Sequence, residues 1–334
     1  MLHKTSINTD NADLKQTWIS HNELALKAQS RSFAIPILNL TAEYRLPVMV
    51  QYNINKLIDT IEDTPALTPS DRISAIQRLC HALQQGICDR QLQTRMLSVL
   101  SSEESPIFQY YPDIIALFNC LALQERELGL RWSLAMAEGM CEFLQKPINT
   151  PDDLNQYCYF VAGTVGCYLT ELLEQKGEQI SIVQRDKLQQ TAISFGLFLQ
   201  KLNIIRDYNE DRQEKHRQFW PQDYFRQGHK PLAILNLLCT ETLQNDVPAA
   251  IAYARTIPII NQSFVNFIRF ILVSGLEYLQ LLINNDRVFT TTKVKLPKAI
   301  IVDLYHNVSQ LSETEFSDYC ERLASAAASL ATPE

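Results

Sequence analysis

Two groups of carboxylates carry the most legible chemistry in this chain. Asp59, Glu62 and Asp63 stand in the run Asp-Thr-Ile-Glu-Asp, and Asp207, Glu210 and Asp211 stand in Asp-Tyr-Asn-Glu-Asp. Steps of three and four put the members of each group on one side of a helix. Like charges at those steps repel, and no lysine is read as relieving either group, so a bound cation is the simplest compensation. Neither run has the glycine of a calcium loop, and the two are too far apart in the chain to form one. Mg2+ prefers one or two carboxylates, several waters and phosphate oxygens. Two such faces opposed across a helical bundle would suit a diphosphate held by several Mg2+ ions. One cluster alone would more often be a solvated acidic helix end; identical spacing in both, each behind an apolar helix, favours the metal.

Polar residues upstream extend each group into a stripe. Gln200, Asn203, Asp207 and Asp211 follow one another at steps of three and four, as do Tyr52, Lys56, Asp59 and Asp63. Such a stripe would be costly if buried without partners, and it fits a wet, metal-bearing cavity.

The elements that must position these residues are helices. Apolar residues recur at steps of three and four over 48–63, 71–88, 125–144, 154–173, 186–211 and 259–283. The breaks between them have turn or cap chemistry, as in Thr68-Pro69-Ser70-Asp71 and Asn149-Thr150-Pro151-Asp152-Asp153. Pro47 is placed where a helix begins, because its missing N–H costs nothing in a first turn. With 9 glycines and 14 prolines in 334 residues, 46% hydrophobic and 20% charged, the chain is neither collagenous nor a many-turned β protein. No repeat or flexible linker divides it. We expect one all-α domain over 1–334, a helical bundle with a central cavity, and poorly ordered tails at 1–20 and 325–334.

Charge and cysteine usage exclude other classes. The net charge of −7, from 37 acidic and 30 basic residues, disfavours a nucleic-acid partner. The 8 cysteines form no CxxC pair, so they read as small core residues of a reducing, cytoplasmic compartment rather than zinc ligands or disulfides. The start lacks the apolar run of a secretory signal. The greasiest stretch, 264–283, holds Asn266, Arg269 and Glu277, which a lipid-facing span would rarely tolerate, so no transmembrane anchor is expected. Oligomeric state is not readable.

Several segments together resemble the squalene and phytoene synthase family. They are Ser30-Arg-Ser-Phe33, the Asp59–Asp63 group, Tyr157-Cys-Tyr-Phe-Val-Ala-Gly163, the block from Gly196 to Asp211, Arg217-Gln-Phe-Trp-Pro221 and Asn261-Gln-Ser-Phe-Val-Asn-Phe267. The Gly196–Pro221 block is closer to the squalene synthase branch. The resemblance implies an isoprenoid-synthase fold and a two-step reaction. Two farnesyl diphosphates join head to head to presqualene diphosphate with Mg2+, and NADPH then supplies hydride as the product rearranges to squalene. Alternatives within the family stop before reduction, at presqualene diphosphate, dehydrosqualene or phytoene; outside it, a catalytically silent helical interaction protein would keep the fold.

Carried over by position, the six carboxylates resemble metal ligands, and Tyr157 the tyrosine tied to proton removal in cyclopropane formation. Ser30, Arg31, Ser32, Phe33, Tyr52, Lys56, Gln200, Asn203 and Phe267 resemble substrate-binding positions. Arg31, Lys56, Arg206, Lys293 and Lys295 resemble those that bring charge to NADPH or diphosphate. Gly163 and Gly166 serve either close helix packing or substrate approach. The chain departs from the family at Lys56, usually Arg, and at Ile268–Leu272, where the family has an Ala-Ile-Pro-Gln-like run. Pro297 likewise replaces a basic residue. The substrates are lipid-like, which implies transient contact with a membrane surface.

Overall fold

A computed structural model of the chain describes residues 3–177, 179–258 and 261–331, without the side chains of 3–12 and Arg31. The described residues are mostly helical, with no strand among them. In order, the helices are α1 (His3–Gln29), α2 (Arg31–Leu38), α3 (Ala42–Asp63), α4 (Pro69–Gln85), α5 (Arg90–Val99), α6 (Ser105–Gln109), α7 (Tyr111–Asn119) and α8 (Leu123–Phe143). There follow α9 (Pro151–Cys158), a π turn (Tyr159–Gly163), α10 (Thr164–Gln175), α11 (Ile182–Arg206), α12 (Tyr208–Gln213), α13 (Gln222–Arg226), α14 (Pro231–Asn245) and α15 (Val247–Thr256). The last are α16 (Gln262–Leu282), a 3-10 turn (Asp286–Phe289), α17 (Lys298–Gln310) and α18 (Glu313–Ala331). Contacts divide the chain into two compact units, 1–137 and 138–334, with the division inside α8.

In the first unit α3 packs on α1, α4 and α7. Its buried stripe of Ile54, Leu57, Ile58 and Ile61 is fully enclosed, and that apolar face, rather than propensity, holds the helix. The buried Asn53 amide nitrogen donates to Asn22, whose carbonyl and side-chain oxygens both accept at 3.0 Å. Pro47 does not start this helix; it lies in its second turn, where it cannot donate back to Glu43. The apolar positions around it are buried, and their packing outweighs that lost bond.

In the second unit α11 is the central helix, packed by α10, α15, α16 and the π turn. Two glycines let it come close. A Cβ on Gly166 would meet the Ala192 carbonyl oxygen at 2.2 Å, and one on Gly196 would meet that of Ala162 at 2.2 Å. Gly166 therefore serves close packing. The expected helix over 154–173 is real in extent but contains the π turn, where Thr164 N–H donates back to the Tyr159 carbonyl.

Helix α16 is the one described helix long and apolar enough to cross a membrane, and its most apolar window is 67% buried inside the protein. The first two expected residues of this helix, Ile259 and Ile260, lie outside the described residues. Arg269 points toward the C-terminal helices: it donates to the Leu311 carbonyl at 3.0 Å and lies 4.6 Å over the Phe316 ring. The segment expected to fray near the C-terminus is helical to Ala331, because Phe316, Cys320, Leu323 and Ala327 make a buried stripe at helical steps. At the other end, α1 is helical from His3, with Asn22, Ala25 and Leu26 fully buried.

Candidate functional site

Asp59, Glu62 and Asp63 lie at the C-terminal end of α3 and Asp207 at that of α11, where the helix dipole disfavours negative charge, while Glu210 and Asp211 lie in the first turn of α12. Basic side chains must therefore offset it. In the first unit Arg72, 6% exposed, donates to the Glu62 and Leu67 carbonyls at 3.0 and 3.1 Å and closes the end of α3. Lys56 makes an ion pair with Asp59 one turn earlier. Burial alone would lower the Lys56 pKa, but the charges of Asp59 and Asp63 and the neighbouring Tyr52 hold it above the ordinary lysine value. Asp59 and Asp63 are half-buried, whereas Glu62 is fully enclosed. The common helical face thus splits into two accessible carboxylates and one inner one.

The other first-unit residues predicted from sequence gather around the same stripe. Ser30 caps α2, accepting from the Phe33 N–H at 3.0 Å. Tyr52 lies beside it, its hydroxyl pushed up by burial despite the opposing influence of Lys56 and Ser30. The Phe33 and Tyr52 rings lie 6.0 Å apart. Ser32 is half-buried on the same short helix; the side chain of Arg31 lies outside the described residues.

In the second unit the helix expected to run through Asp211 breaks at Asp207, whose backbone (φ −94°, ψ 11°) separates α11 from α12. The turn still holds, because Asp211 N–H donates to the Asp207 carbonyl at 2.9 Å. Each carboxylate here has its own cation. Arg206 grips Asp207 with two bonds, of 2.8 and 2.5 Å; Lys215 lies 3.2 Å from Asp211; Lys293 pairs with Glu210. Lys215 stands four residues after Asp211, so this cluster does carry a relieving lysine, a signal visible in sequence that the expectation above missed. Burial would depress the Arg206 pKa, but the bond and charge of Asp207, with Tyr278 and Glu210, keep it above the usual arginine value.

An aromatic cluster fixes this break. The Tyr208 ring lies 4.0 Å from Trp220 and 5.5 Å from Phe289, and the Trp220 N–H donates to the Ile204 carbonyl at 3.2 Å. Trp220 belongs to a run quoted from the sequence without a role; anchoring the end of α11 is that role. Gln200 and Asn203 are half-buried on α11, their amide groups 3.5 Å apart. Tyr157 is 3% exposed between Phe143 at 5.4 Å and Phe219 at 4.8 Å, at the end of a helix begun by the Thr150–Asp153 capping box. Phe267 is 3% exposed and packs on Phe264. In the segment before α17, Val294 and Leu296 are buried while Lys293 and Lys295 are exposed.

Among the described residues no three His, Cys, Asp or Glu side chains form a metal-holding group as they stand. The donor chemistry nevertheless fits Mg2+, which takes hard oxygens and completes its shell with water and phosphate. Asp59 and Asp63 in one unit, and Asp207, Glu210 and Asp211 in the other, are carboxylates whose present partners include side-chain cations that a metal can replace.

Known proteins resemble this chain over most of its length. The family model described as squalene/phytoene synthase matches residues 26–299. The squalene synthase of Rattus norvegicus is 32% identical over 86% of this chain and 68% of its own length, and that of Homo sapiens 30% identical over the same shares. The squalene synthase BSS of Botryococcus braunii is 30% identical over 89% of this chain and 67% of its own. A solved ligand complex of TcSQS shares the fold with a TM-score of 0.79 at 25% identity, covering 94% of this chain and 98% of that one. A dehydrosqualene synthase structure shares the fold more distantly, with a TM-score of 0.55 at 20% identity over 88% and 96% of the two chains. The all-α class matches expectation, and the chain is a prenyltransferase-type isoprenoid synthase, a member of the squalene/phytoene synthase family.

Proposed function

We propose that the protein is a squalene synthase, joining two farnesyl diphosphates to presqualene diphosphate and reducing that product to squalene with NADPH. The observation that carries the reading is the pair of acidic helix ends, each surrounded by donors suited to a diphosphate, in a chain about 30% identical to curated squalene synthases. Asp59, Asp63, Asp207, Glu210 and Asp211 would hold Mg2+, with Glu62 behind the first pair; its chemistry is to neutralise diphosphate as it leaves. Around the first cluster Ser30 and Tyr52 offer hydroxyl donors and Lys56 an ammonium to phosphate oxygens. Arg31 and Ser32 extend that donor set in sequence.

Tyr157 is enclosed by Phe143 and Phe219, which keep bulk water from its hydroxyl. That seclusion keeps water from the cation and supports placing Tyr157 beside the carbon that loses a proton as the cyclopropane closes. Gln200 and Asn203 orient the same end of the substrate, and Phe33 and Phe267 give apolar surface to the prenyl chains. Arg206, Lys293 and Lys295, with Arg31 and Lys56, would receive NADPH, whose chemistry is hydride transfer to the last cation.

Product analysis tests this reading. Purified protein given farnesyl diphosphate and Mg2+ is expected to accumulate presqualene diphosphate without NADPH and squalene with it. The same product in both conditions removes the reductive step, and no consumption of farnesyl diphosphate removes the whole reading. Flotation with anionic liposomes checks for transient membrane contact.

A further inference from the structure

The second acidic cluster is crossed by the segment that precedes α17, and the crossing has two attachment points of different kinds. Lys293 Nζ pairs with Glu210 Oε2, with side-chain exposures of 48% and 23%. Three residues on, the Leu296 N–H donates to the Tyr278 hydroxyl at 3.2 Å. Tyr278 is also the residue whose ring lies 5.6 Å from the Arg206 guanidinium, the group that grips Asp207. The segment is anchored upstream by Phe289 in the aromatic cluster and inside by Val294 and Leu296, so Lys293 hangs from a fixed backbone.

A half-exposed lysine on such a backbone can leave its carboxylate at low cost, because exposed ion pairs are weak. It cannot go far, because its neighbours are packed. The bond from Leu296 to Tyr278 keeps its effective concentration at Glu210 high. A divalent cation that takes Glu210 must displace this ammonium. Whatever free energy the pair contributes is then subtracted from metal binding, and metal binding releases the lysine by the same factor.

Resting on the reading of this cluster as a Mg2+ site, we propose that Lys293 is a built-in competitor for the metal, a tethered counter-ion that Tyr278 positions over Glu210. Loading the metal then exposes an ammonium beside the cluster, available to an anionic phosphate ligand. The two events are coupled through one side chain.

The test measures Mn2+ affinity, by electron paramagnetic resonance, with neither diphosphate nor prenyl substrate present, so that only the competition at Glu210 is read. Lys293→Met is expected to tighten Mn2+ binding about two- to five-fold, the range of an exposed pair. Tyr278→Phe, which loses the bond to Leu296 but keeps the ring under Arg206, is expected to tighten it by a smaller factor. Lys293→Arg is expected to restore the wild-type value. Melting temperature verifies that each variant is folded. Unchanged or weaker Mn2+ binding in Lys293→Met, with wild-type binding lost in Asp207→Asn, overturns the competitor alone. Absence of any Mn2+ binding in the wild type overturns both the competitor and the metal reading beneath it.

Discussion

At the end of α3 the accessible carboxylates find their cation on their own helix, in Lys56, and the third carboxylate is turned inward. At the break between α11 and α12 three cations arrive from three places: Arg206 beside Asp207, Lys215 on the following turn and Lys293 from beyond α16. The spacing of acids is the same in both, so spacing alone does not decide how the charge is balanced. The first end has a cation one turn back on its own helix, beside the Arg72 bond that closes it. The second depends on tertiary structure, on the aromatic cluster that holds the break and on a segment that must lie across it. A ligand entering the second therefore disturbs more of the molecule than one entering the first.

The largest expected effect comes from removing one accessible carboxylate from each end. Asp59→Asn and Asp207→Asn should each lower turnover of farnesyl diphosphate by about two to three orders of magnitude, because each weakens neutralisation of the leaving group. Single-turnover assays at saturating Mg2+ would show it. Retained turnover in one variant would make the two ends unequal partners. Next in size is the packing beneath them. Gly196→Ala drives a methyl into the Ala162 carbonyl and should cost about 1–3 kcal/mol in urea unfolding. Gly129→Ala, in the first unit, meets the end of the Gln51 side chain at 2.5 Å and the Phe118 ring at 3.6 Å, neither of them backbone, and should cost less. Equal losses would mean that the close crossing is not what separates the two units.

A smaller pair probes the helix ends themselves. Trp220→Phe leaves the Ile204 carbonyl without its donor and should lower stability by about 1–2 kcal/mol. Thr64→Val, which loses a 2.6 Å bond to the Thr60 carbonyl, should cost about 1 kcal/mol. Calorimetry would rank them, and a reversed order would place the firmer anchor at α3.

The smallest effect is in acid. Lys146, then the bonds from Thr150 and Asn149, hold the Asp153 carboxyl down to about 2 against the cost of desolvation. Its folded value lies below its unfolded value near 3.9, so its contribution is present above pH ~4 and disappears as pH falls through about 2. The melting temperature of Asp153→Asn should therefore fall less steeply over that window than that of the wild type. Parallel curves would remove the capping box as the source.

Much of this was legible in the chain. Periodicity located α4, α8 and α16 to within about three residues and α3 and α11 less closely, starting the first late and carrying the second past its end, and spacing singled out both carboxylate groups. Periodicity could not show the break at Asp207, since the acids keep helical steps across it and the aromatic residues that fix it come from later in the chain. Nor could it show Pro47 inside α3, where packing overrides a local rule, or the enclosure of Glu62. Lys215 was readable by its spacing. Tyr278 was not: a tyrosine within the apolar run of α16 resembles core, and only the fold brings Arg206 and Leu296 to it.

The π turn after Tyr157 bears on how this protein tolerates insertions and deletions. An α-helix advances about 100° per residue, so one residue more or less rotates everything beyond it by that angle. The wider turn at Tyr159–Gly163 accommodates its extra residue between Tyr157 and the Gly166 crossing. Deleting one residue there would let the stretch relax to an ordinary helix with Tyr157 and the Gly166 crossing still in register, whereas a deletion in the α-helical turns on either side would swing Tyr157 away from Phe143 and Phe219. The π turn is thus where this helix could change length without moving its tyrosine.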